Sequence, residues 1–495
     1  MIPIYKSTRF YRILFFATLI GFGIIFCSIS LVNHYLFRTS GYDLGINNNA
    51  IYDYAHLRWN DCMLMQPHYT NVLSDHFSLY PILVSPLYWI FGSYTMLIVQ
   101  ICAVLFGGVG VYKFILNRSS DFRLALFSMV HFFLMWGIYS ALAFDYHDNV
   151  VAAMLVPWLF YFFFTGNKTA TWCFLVLILI SKENMALWSI FIGLGLSWLT
   201  FKDKKLRLQA LALSLVSLIY FIVVVKLIIP SIGNAGRDYN HFHYAALGTG
   251  FSDALVTLFT RPLHILSLLF ASPDGNDYFH GIKLETHLMV LLCGGYALLK
   301  RPAFLVMLLP IYAQKMFNDD HMKWGTLCQY SIEFAPILAI AFYMWLISYD
   351  ITTRKILSNF GLILCLIASF LLFQERTSKW YNKESFQFYN SSHYKTPYNV
   401  SEIYEALKLI PQQAKVSAEA HIIPHLSFRD YIYHFPHTAD AEYIVLLDDW
   451  RTYPLNQEQF IQELNNLLGS NEWTALYNKD GFYIFKKNNR LSYAE

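Results

Sequence analysis

Residues 1–37, MIPIYKSTRFYRILFFATLIGFGIIFCSISLVNHYLF, place three basic side chains before a long apolar run. The run covers about residues 11–33, which is long enough to cross the hydrocarbon core of a bilayer as a helix. A cleaved signal peptide has a shorter apolar core and a small-residue cleavage site, and this segment has neither. We therefore expect a retained first transmembrane helix, with Lys6, Arg9 and Arg12 on the cytoplasmic side.

The composition of the whole chain agrees with this start. Hydrophobic residues make up 56% of the 495 residues and charged residues only 14%, whereas a soluble domain carries about 25% charged residues. Charged side chains are costly in hydrocarbon, so this deficit indicates a polytopic membrane protein. The formal net charge of +3 gives no electrostatic basis for binding nucleic acid.

About eleven apolar segments are candidates for membrane-spanning helices. They lie at about 11–33, 94–116, 124–142, 150–165, 170–181, 184–200, 208–229, 284–299, 302–317, 330–348 and 356–373. Two further apolar stretches, 76–92 and 253–271, contain prolines or an Arg-Pro pair and fit outer-surface or re-entrant helices better than spans. Counted alternately, the spans place each intervening basic cluster in the cytoplasm, which predicts a cytoplasmic N-terminus and an extracytoplasmic C-terminus.

The expected architecture has two domains. Residues 1–373 form an all-α polytopic membrane domain of about eleven transmembrane helices, with an outer loop over residues 37–93. Residues 374–495 form a small soluble α/β domain on the extracytoplasmic side. In the second domain, SEIYEALKLI and NQEQFIQELNNLL have helical periodicity, and KVSAEA, DYIYHF and AEYIVLLD are typical of short strands. EWTALYNKDGFYIFKK indicates a hairpin that turns at Lys479, Asp480 and Gly481.

Ionisable residues collect in the loops that this topology places outside. The first outer loop contains SGYDLGINNNAIYDYAH, residues 40–56, in which Asp43 closely follows the first span. Gly45 is expected to let the chain turn back toward the membrane. NNAIYDYAH has the pattern of a short surface helix, on which Asp53 would be solvated or capping. The other candidate residues are Asp75, His76, Asp145, His147, Asp148, Lys182, Glu183, Arg237, Tyr330 and Glu333.

Two explanations for these outer residues remain open. Outer loops are polar simply because they meet water, and Lys182 could form only a structural ion pair with Asp145 or Glu333. The connections at 145–148 and 182–183, however, are short and flanked by apolar helix, where ionisable groups usually face a cavity or pair with one another. Such groups are therefore candidates for a site.

The residue types allow two kinds of chemistry. Asp145, His147 and Asp148, or alternatively Asp75 with His76, have the mixed histidine and carboxylate character of a Zn, Mn or Mg site, so a divalent metal is the candidate cofactor. Alternatively, a carboxylate can act as general base on an incoming hydroxyl. Lysine or arginine side chains can then bind the leaving phosphate of a lipid carrier.

Several motifs resemble, in order and spacing, the bacterial membrane proteins called domain of unknown function 2079, over about residues 10–450. The motifs are YDLGINNNAIYDY, SDHFSLYPILVSPLY, FDYHDN, SKENMAL, YSIEFAPILAI and AKVSAEAHIIPHLSFRDYIYHFP. That family is similar to GT-C-type glycosyltransferases, which are polytopic enzymes that use polyprenyl-phosphate sugars. The resemblance therefore implies a GT-C-like fold.

The resemblance also implies roles for individual residues. Asp43 would be the general base, and Lys182 with Glu183 matches the family's Lys-Glu pair. Their charge, rather than the resemblance, makes Lys182 and Arg237 the candidates to hold phosphate. Asp145, His147 and Asp148 match a stretch that would line the donor or metal site, and the remaining candidates fall in the family's other polar motifs. Members often carry a second acid where this chain has three asparagines at residues 47–49, so this chain departs there from the family's paired-carboxylate pattern.

The sequence thus predicts an integral membrane glycosyltransferase. It would move a sugar from a polyprenyl-phosphate donor to an envelope acceptor at the outer face of the bacterial cytoplasmic membrane. A lipid or solute transporter or flippase would instead carry ionisable residues through to the inner face. A non-catalytic envelope scaffold would retain its function without Asp43, Lys182 and His147. A disulfide between Cys62 and Cys328, both in predicted outer loops, is an alternative to free thiols.

Overall fold

The computed structural model describes residues 4–65, 70–233, 242–273, 279, 281–374, 381–449 and 451–488. The chain divides into two compact units. The helical unit comprises Met1–Ile29, Leu73–Tyr80 and Val99–Gln387, and the sheet unit comprises Ser30–Val72, Pro81–Ile98 and Phe388–Glu495. The sheet unit therefore contains, besides the C-terminal residues, two segments that the sequence interpretation assigned to the membrane domain.

Helices dominate the part of the chain before residue 233. They are α1 (Ile4–Tyr35), α2 (Ile46–Ala55), α3 (Val72–Asp75), α4 (Tyr80–Val84), α5 (Tyr88–Phe91), α6 (Thr95–Ser119), α7 (Phe122–Phe133), α8 (Trp136–Ala143), α9 (Asp148–Thr165), α10 (Lys168–Leu179), α11 (Glu183–Leu199), α12 (Lys204–Val223) and α13 (Ile229–Ile232). A π-helical turn at Gly41–Gly45 leads into α2.

Helices also make up most of residues 242–374, and shorter helices alternate with strands after residue 381. They are α14 (Phe251–Thr260), α15 (Pro262–Leu268), α16 (Ile282–Leu292), α17 (Pro302–Met316), α18 (His321–Trp324), α19 (Phe334–Leu346), α20 (Ile351–Leu372), α21 (Lys383–Phe386), α22 (Val400–Leu407), α23 (Ile423–Leu426) and α24 (Gln457–Leu468).

Each of the eleven predicted apolar segments coincides with a helix or a pair of helices, but the predicted number of spans is not confirmed. Within the described residues, five helices are long and apolar enough to cross a membrane, and α7 with α8, bent by 42° at their junction, would make a sixth. The five are Arg9–Tyr35, Tyr80–Ser119, Asp148–Thr165, Lys204–Ile232 and Ile351–Leu372. The helices α10, α17 and α19 are apolar but shorter.

The two stretches that were predicted to be outer-surface or re-entrant helices differ in structure. The first, 76–92, is a series of short turns of helix that continues into α6, and Tyr80–Ser119 together passes as one candidate span. The second, 253–271, is divided between α14 and α15 at Arg261 and Pro262. Proline at the first position of α15 explains this break, because its ring lacks the N–H that would continue α14.

Side-chain caps define where several long helices begin. Asp121, Asn167, Asp203 and Asp350 each accept hydrogen bonds from backbone N–H groups of the helix that follows, which are α7, α10, α12 and α20. Such caps satisfy N–H groups that the first helical turn leaves without partners. These polar residues therefore allow sharp connections between apolar helices.

The sheet unit contains a five-stranded mixed sheet of order β4-β3-β5-β7-β6. The strands are β3 (Val416–Ala418), β4 (Ile432–His434), β5 (Tyr443–Leu447), β6 (Trp473–Lys479) and β7 (Phe482–Lys487), and a separate pair is formed by β1 (Asp61–Cys62) and β2 (Thr70–Asn71). The strand β3 is parallel to both β4 and β5, whereas β7 is antiparallel to β5 and β6. All three predicted strands, both predicted helices and the hairpin are confirmed.

The turn of the β6–β7 hairpin has the expected chemistry. Asp480 and Gly481 have φ angles of 50° and 77°. Asp and Gly tolerate this left-handed region better than most residues, and two such residues in succession suit the twist of a tight hairpin.

One hydrophobic core joins distant parts of the sequence within the sheet unit. Leu36, Phe37, Cys62 and Leu64 are buried in the same cluster as residues of the strands, among them Val416. The segment that follows α1 therefore packs into the core of this unit and is not a solvated loop. None of the seven cysteines, all of which lie in the described residues, forms a disulfide, so the alternative bridge between Cys62 and Cys328 is not present.

Candidate functional site

A buried carboxylate at the start of α11 organises the first cluster, which lies within the helical unit. The side chain of Glu183 is only 1% exposed, and its Oε1 accepts a hydrogen bond of 2.9 Å from Nδ1 of His76. Its Oε2 accepts from the backbone N–H of Phe77 at 3.1 Å. Asp75 places Oδ2 3.9 Å from Nε2 of the same imidazole. The structure therefore brings together three residues that the sequence proposed from two separate loops.

Backbone pairing fixes the segment that carries His76. The N–H of Leu79 donates to the carbonyl of Ile180 at 2.9 Å, and the hydroxyl of Tyr80 donates to the carbonyl of Leu177 at 2.7 Å. Both acceptors lie at the C-terminal end of α10, where carbonyl groups lack partners within the helix. The segment thus satisfies the end of α10 and holds His76 against the start of α11.

A second carboxylate begins α9. Asp148 Oδ1 accepts a hydrogen bond of 2.7 Å from the hydroxyl of Tyr146. The loop before it is held by Gln100 of α6, whose Nε2 donates to the carbonyl of Asp145 at 3.1 Å and whose Oε1 accepts from the N–H of His147 at 2.9 Å. Carboxylates at helix N-termini are also favoured by the helix dipole, so Asp148 and Glu183 have a structural role as well.

Lys182 is the cation of this cluster. It interacts electrostatically with Asp148, Glu183 and Glu333. No hydrogen bond or ion pair of its ammonium group is present within the described part of the chain, so the suggested structural ion pair with Asp145 or Glu333 is not formed. Glu333 instead accepts a hydrogen bond of 2.9 Å from Asn149.

The predicted metal ligands do not assemble into a metal site. Among the residues that the structure describes, no three His, Cys, Asp or Glu side chains are placed to hold an ion. The ring of His147 stacks on Phe144 with centroids 5.4 Å apart, and Asp148 accepts the hydroxyl of Tyr146. The spacing of Asp145, His147 and Asp148 was therefore misleading about their geometry, and metal dependence of the protein stays a prediction.

Tyr330 and Arg237 are the remaining candidates. The ring of Tyr330 is contacted by Lys323, whose Nζ is 5.8 Å from the ring centroid. Arg237 lies outside the described residues.

Sequence reasoning missed three polar side chains that shape the helical cluster, namely Gln100, Tyr146 and Asn149. Gln100 carried a usable signal, because a single amide within the otherwise apolar segment 94–116 is costly in hydrocarbon unless it has partners. Tyr146 and Asn149 flank the predicted acids, but only the fold shows that their side chains hold Asp148 and Glu333.

The second cluster lies within the sheet unit and contains Asp43. This half-buried residue occupies the π-helical turn, where its carbonyl accepts a hydrogen bond of 2.9 Å from Nδ2 of Asn47. The neighbouring ring of Tyr42 stacks on His434 with centroids 4.4 Å apart. Nδ1 of His421 donates to the carbonyl of Thr39 at 2.9 Å. The segment around Asp43 is therefore built against the ends of β3 and β4.

Asparagines 48 and 49 anchor this segment rather than completing a pair of acids. Nδ2 of Asn48 donates to the carbonyl of Pro424 at 3.0 Å. Nδ2 of Asn49 donates to the carbonyls of Ser427 and Arg429 at 3.0 and 3.3 Å. Both amides are buried. The helix α2 was predicted correctly, but it is buried on one face instead of lying free along a surface.

The two glycines of the turn are required for close packing. A Cβ on Gly41 or on Gly45 would lie 2.7 Å from a methyl carbon of Ile423. Gly45 has right-handed helical angles of −62° and −46°, so the expectation that it reverses the chain is wrong. Its missing side chain instead allows α23 to approach.

Two carboxyl groups of the sheet unit have raised pKa values. Burial raises the pKa of Asp53, against the opposing effects of a hydrogen bond from Asn60 and the charge of Arg58. Arg58 lies 2.8 Å from Asp53, which is thus paired rather than solvated. Burial also raises the pKa of Glu419, 3% exposed, to about 8. No sequence pattern points to this acid, because its burial depends on the residues that follow β3.

Solved structures with the same fold are known. A crystal structure of ArnT from Cupriavidus metallidurans bound to undecaprenyl phosphate matches 98% of this chain and 99% of its own, with a TM-score of 0.56 and 12% sequence identity. The apo structure of the same protein matches with a TM-score of 0.53 and 12% identity, over 97% of this chain and 98% of that one. The sequence matches no curated protein.

The apolar helices, the small C-terminal sheet and these similarities define a multi-pass membrane protein with a GT-C-type fold. Residues 33–485 match the model of the predicted membrane proteins called DUF2079. The chain belongs to that family, as the motifs in its sequence predicted.

Proposed function

We propose that the protein is a glycosyltransferase of the bacterial cytoplasmic membrane that uses a polyprenyl-phosphate sugar as donor and an envelope molecule as acceptor. The N-terminus would be cytoplasmic, and the C-terminal residues extracytoplasmic. The similarity in fold to a protein that binds undecaprenyl phosphate supports this class of donor. The observation that carries the proposal is Lys182, an ammonium group with no ion pair among the described residues, held beside two helix-terminal carboxylates.

The helical cluster suits the leaving phosphate. A lipid phosphate needs a cation that is not already neutralised by a close ion pair, and Lys182 meets that condition. Glu183 is occupied by His76 and the backbone of Phe77, and Asp148 by Tyr146. These bonds hold the carboxylates away from direct pairing with the ammonium group. The N–H donors of Lys182 therefore stay available for a phosphate oxygen, and the start of α11 fixes its position.

Asp43 is assigned the part of general base. It would accept the proton of the acceptor hydroxyl as the hydroxyl oxygen forms a bond to the anomeric carbon of the sugar. The bond between that carbon and the phosphate oxygen breaks, and its electron pair stays on the polyprenyl phosphate. The charge that develops there needs a cation to stabilise it. The rigid anchoring of α2 by Asn48 and Asn49 supports a fixed position for Asp43.

Lys182→Gln tests the phosphate role. We expect the rate of sugar transfer to fall by about 10²–10³-fold, the usual loss when one stabilising donor is removed from a transition state. Purified protein in lipid nanodiscs would be given a panel of labelled polyprenyl-phosphate sugars with an envelope fraction as acceptor. The release of polyprenyl phosphate and the labelling of the acceptor are both measured.

Lys168→Gln is the matched control, because Lys168 is an exposed lysine that begins α10 and forms no part of the cluster. Equal rates for Lys182→Gln and the wild type would contradict the phosphate role. Unchanged transfer in Asp43→Asn would contradict the assignment of the base. Movement of labelled lipid across the bilayer with no transfer in any variant would favour a flippase.

A further inference from the structure

An open groove lies at the end of α11 that is remote from Glu183. It has a volume of about 500 Å³ and is lined by Leu194, Ser197, Trp198, Phe201, Arg207, Leu211 and Val306. The helix α11 has 17 residues, which places its two ends about 25 Å apart at ~1.5 Å per residue. The groove is therefore separate from the cluster around His76 and Glu183.

The walls of the groove are apolar and aromatic. Trp198 is 53% exposed and Phe201 is 67% exposed. Trp side chains are favoured where the hydrocarbon of a bilayer meets its headgroups. The three walls come from α11, α12 and α17, so acyl chains can lie along the groove between helices. This is the setting in which a lipid, rather than a soluble ligand, is the expected occupant.

The cation at the groove is Arg207. The Nε of Arg207 is buried without a hydrogen bond, and no ion pair or hydrogen bond of its guanidinium occurs within the described ranges. The guanidinium makes a cation–π contact with the ring of Phe201, whose centroid is 5.2 Å from Cζ. By contrast, the guanidinium of Arg123 donates to Asn359 and that of Arg354 to backbone carbonyls.

The surrounding charge is positive. Lys202, Lys204 and Lys205 are exposed in the same connection. The only acid between residues 199 and 211 is Asp203, and its carboxylate caps α12 by accepting from the N–H groups of Lys205 and Leu206 at 3.0 and 3.1 Å. A basic pocket between transmembrane helices is the usual form of a site for an anionic lipid headgroup.

We infer that this groove binds the headgroup of an anionic glycerophospholipid, with Arg207 donating to its phosphate and the aromatic walls contacting its acyl chains. Arginine suits this role because its planar fork can donate two parallel hydrogen bonds to phosphate oxygens. The site would anchor the α11–α12 connection to one leaflet and does not depend on the proposed transfer reaction.

The test compares Arg207→Gln with Arg118→Gln. Arg118 is a matched control, because it also lies over a phenylalanine ring, with Cζ 5.1 Å from the centroid of Phe164, but does not line the groove. Delipidated protein in mild detergent is titrated with phosphatidylglycerol or with zwitterionic phosphatidylcholine. Thermal unfolding and native mass spectrometry report the binding.

We expect phosphatidylglycerol to raise the Tm of the wild type more than phosphatidylcholine does, and a phosphatidylglycerol molecule to be retained in the mass spectrum. Arg207→Gln should weaken the apparent affinity about tenfold or more, the loss expected for a charged hydrogen bond, and Arg118→Gln should not. If Arg207→Gln does not fold, the double variant Lys204→Gln with Lys205→Gln, at two exposed positions, should also weaken the affinity.

Three results would overturn the inference. The first is an equal response to the two headgroups, and the second is an equal loss in Arg118→Gln. The third is a stronger response to polyprenyl phosphate than to phosphatidylglycerol, which would make the groove a carrier-lipid site instead.

Discussion

Replacement of Asn49 by alanine should destabilise the sheet unit strongly for a single side chain. Nδ2 of Asn49 donates to the carbonyls of Ser427 and Arg429, and its Oδ1 accepts from Asn60 at 3.1 Å. Asn49→Ala removes all three bonds and leaves buried polar groups without partners. At about 0.5–1 kcal/mol for each of the three lost bonds and a further desolvation cost of about 1 kcal/mol, the free energy of unfolding should fall by about 2.5–4 kcal/mol.

Thermal unfolding of the purified protein measures this effect. For a unit of this size, about 1 kcal/mol corresponds to about 2–4 °C in Tm, so the transition of the sheet unit should fall by about 5–15 °C. Hydrogen exchange should also become faster at residues 423–430, because the amide of Asn49 holds their carbonyls. Full retention of exchange protection in this segment would show that other contacts position it.

The adjacent Asn47→Ala is the control for this experiment. Asn47 is partly exposed, and its amide donates only within its own helical turn, to the carbonyl of Asp43. The loss should stay below about 1 kcal/mol, because solvent can replace that bond. If Asn47→Ala and Asn49→Ala melt within 1–2 °C of each other (about the resolution of the assay), the anchoring role of the buried asparagine is refuted.

Two further outcomes follow from the sheet unit. Because the folded state raises the pKa of Glu419 from 4.5 to about 8, the folded chain holds this proton more tightly than the unfolded chain does. The free energy of unfolding should therefore fall by roughly 3–5 kcal/mol as the pH rises from about 4.5 to about 8. Denaturant titrations of Glu419→Gln should show a weaker dependence of this free energy on pH. An equal dependence in the variant and the wild type would contradict the assignment. Gly45→Ala should lower the free energy of unfolding by about 1–3 kcal/mol through overlap with Ile423. In a double-mutant cycle, Ile423→Ala should reduce that loss. Additive losses would exclude direct packing as the cause.

The secondary structure was predictable where the local sequence pattern and the surrounding solvent favour the same element. All eleven apolar segments are helical, because a backbone surrounded by lipid must form its hydrogen bonds within its own segment. The strands β3 to β7 followed from alternation and from the turn residues Asp480 and Gly481. The number of crossings was not predictable in this way, since α10, α17 and α19 are apolar yet short, and apolarity alone does not reveal helix length.

The site was predictable at the level of residue type and less so at the level of contacts. Glu183, His76 and Asp75 were proposed as ionisable residues of predicted outer loops, and the structure brings them together. The partners of Asp148 and Glu333 were missed, because a tyrosine and an asparagine have many uses and only the fold selects one. The anchoring role of Asn49 was not predicted for a related reason: its partners lie nearly 380 residues later in the chain, where no local pattern can point to them.

The shared core of the sheet unit has a consequence for biosynthesis. Leu36, Phe37, Cys62 and Leu64 emerge early, but the strands that cover them begin at Val416. At ~5–20 residues per second, more than 300 intervening residues require about 15–70 s of translation. During that interval these apolar side chains have no native cover. A ribosome that stops before residue 416 would therefore release a chain whose early part is marked for capture by chaperones or proteases, which makes completion of the C-terminus a checkpoint for the whole molecule.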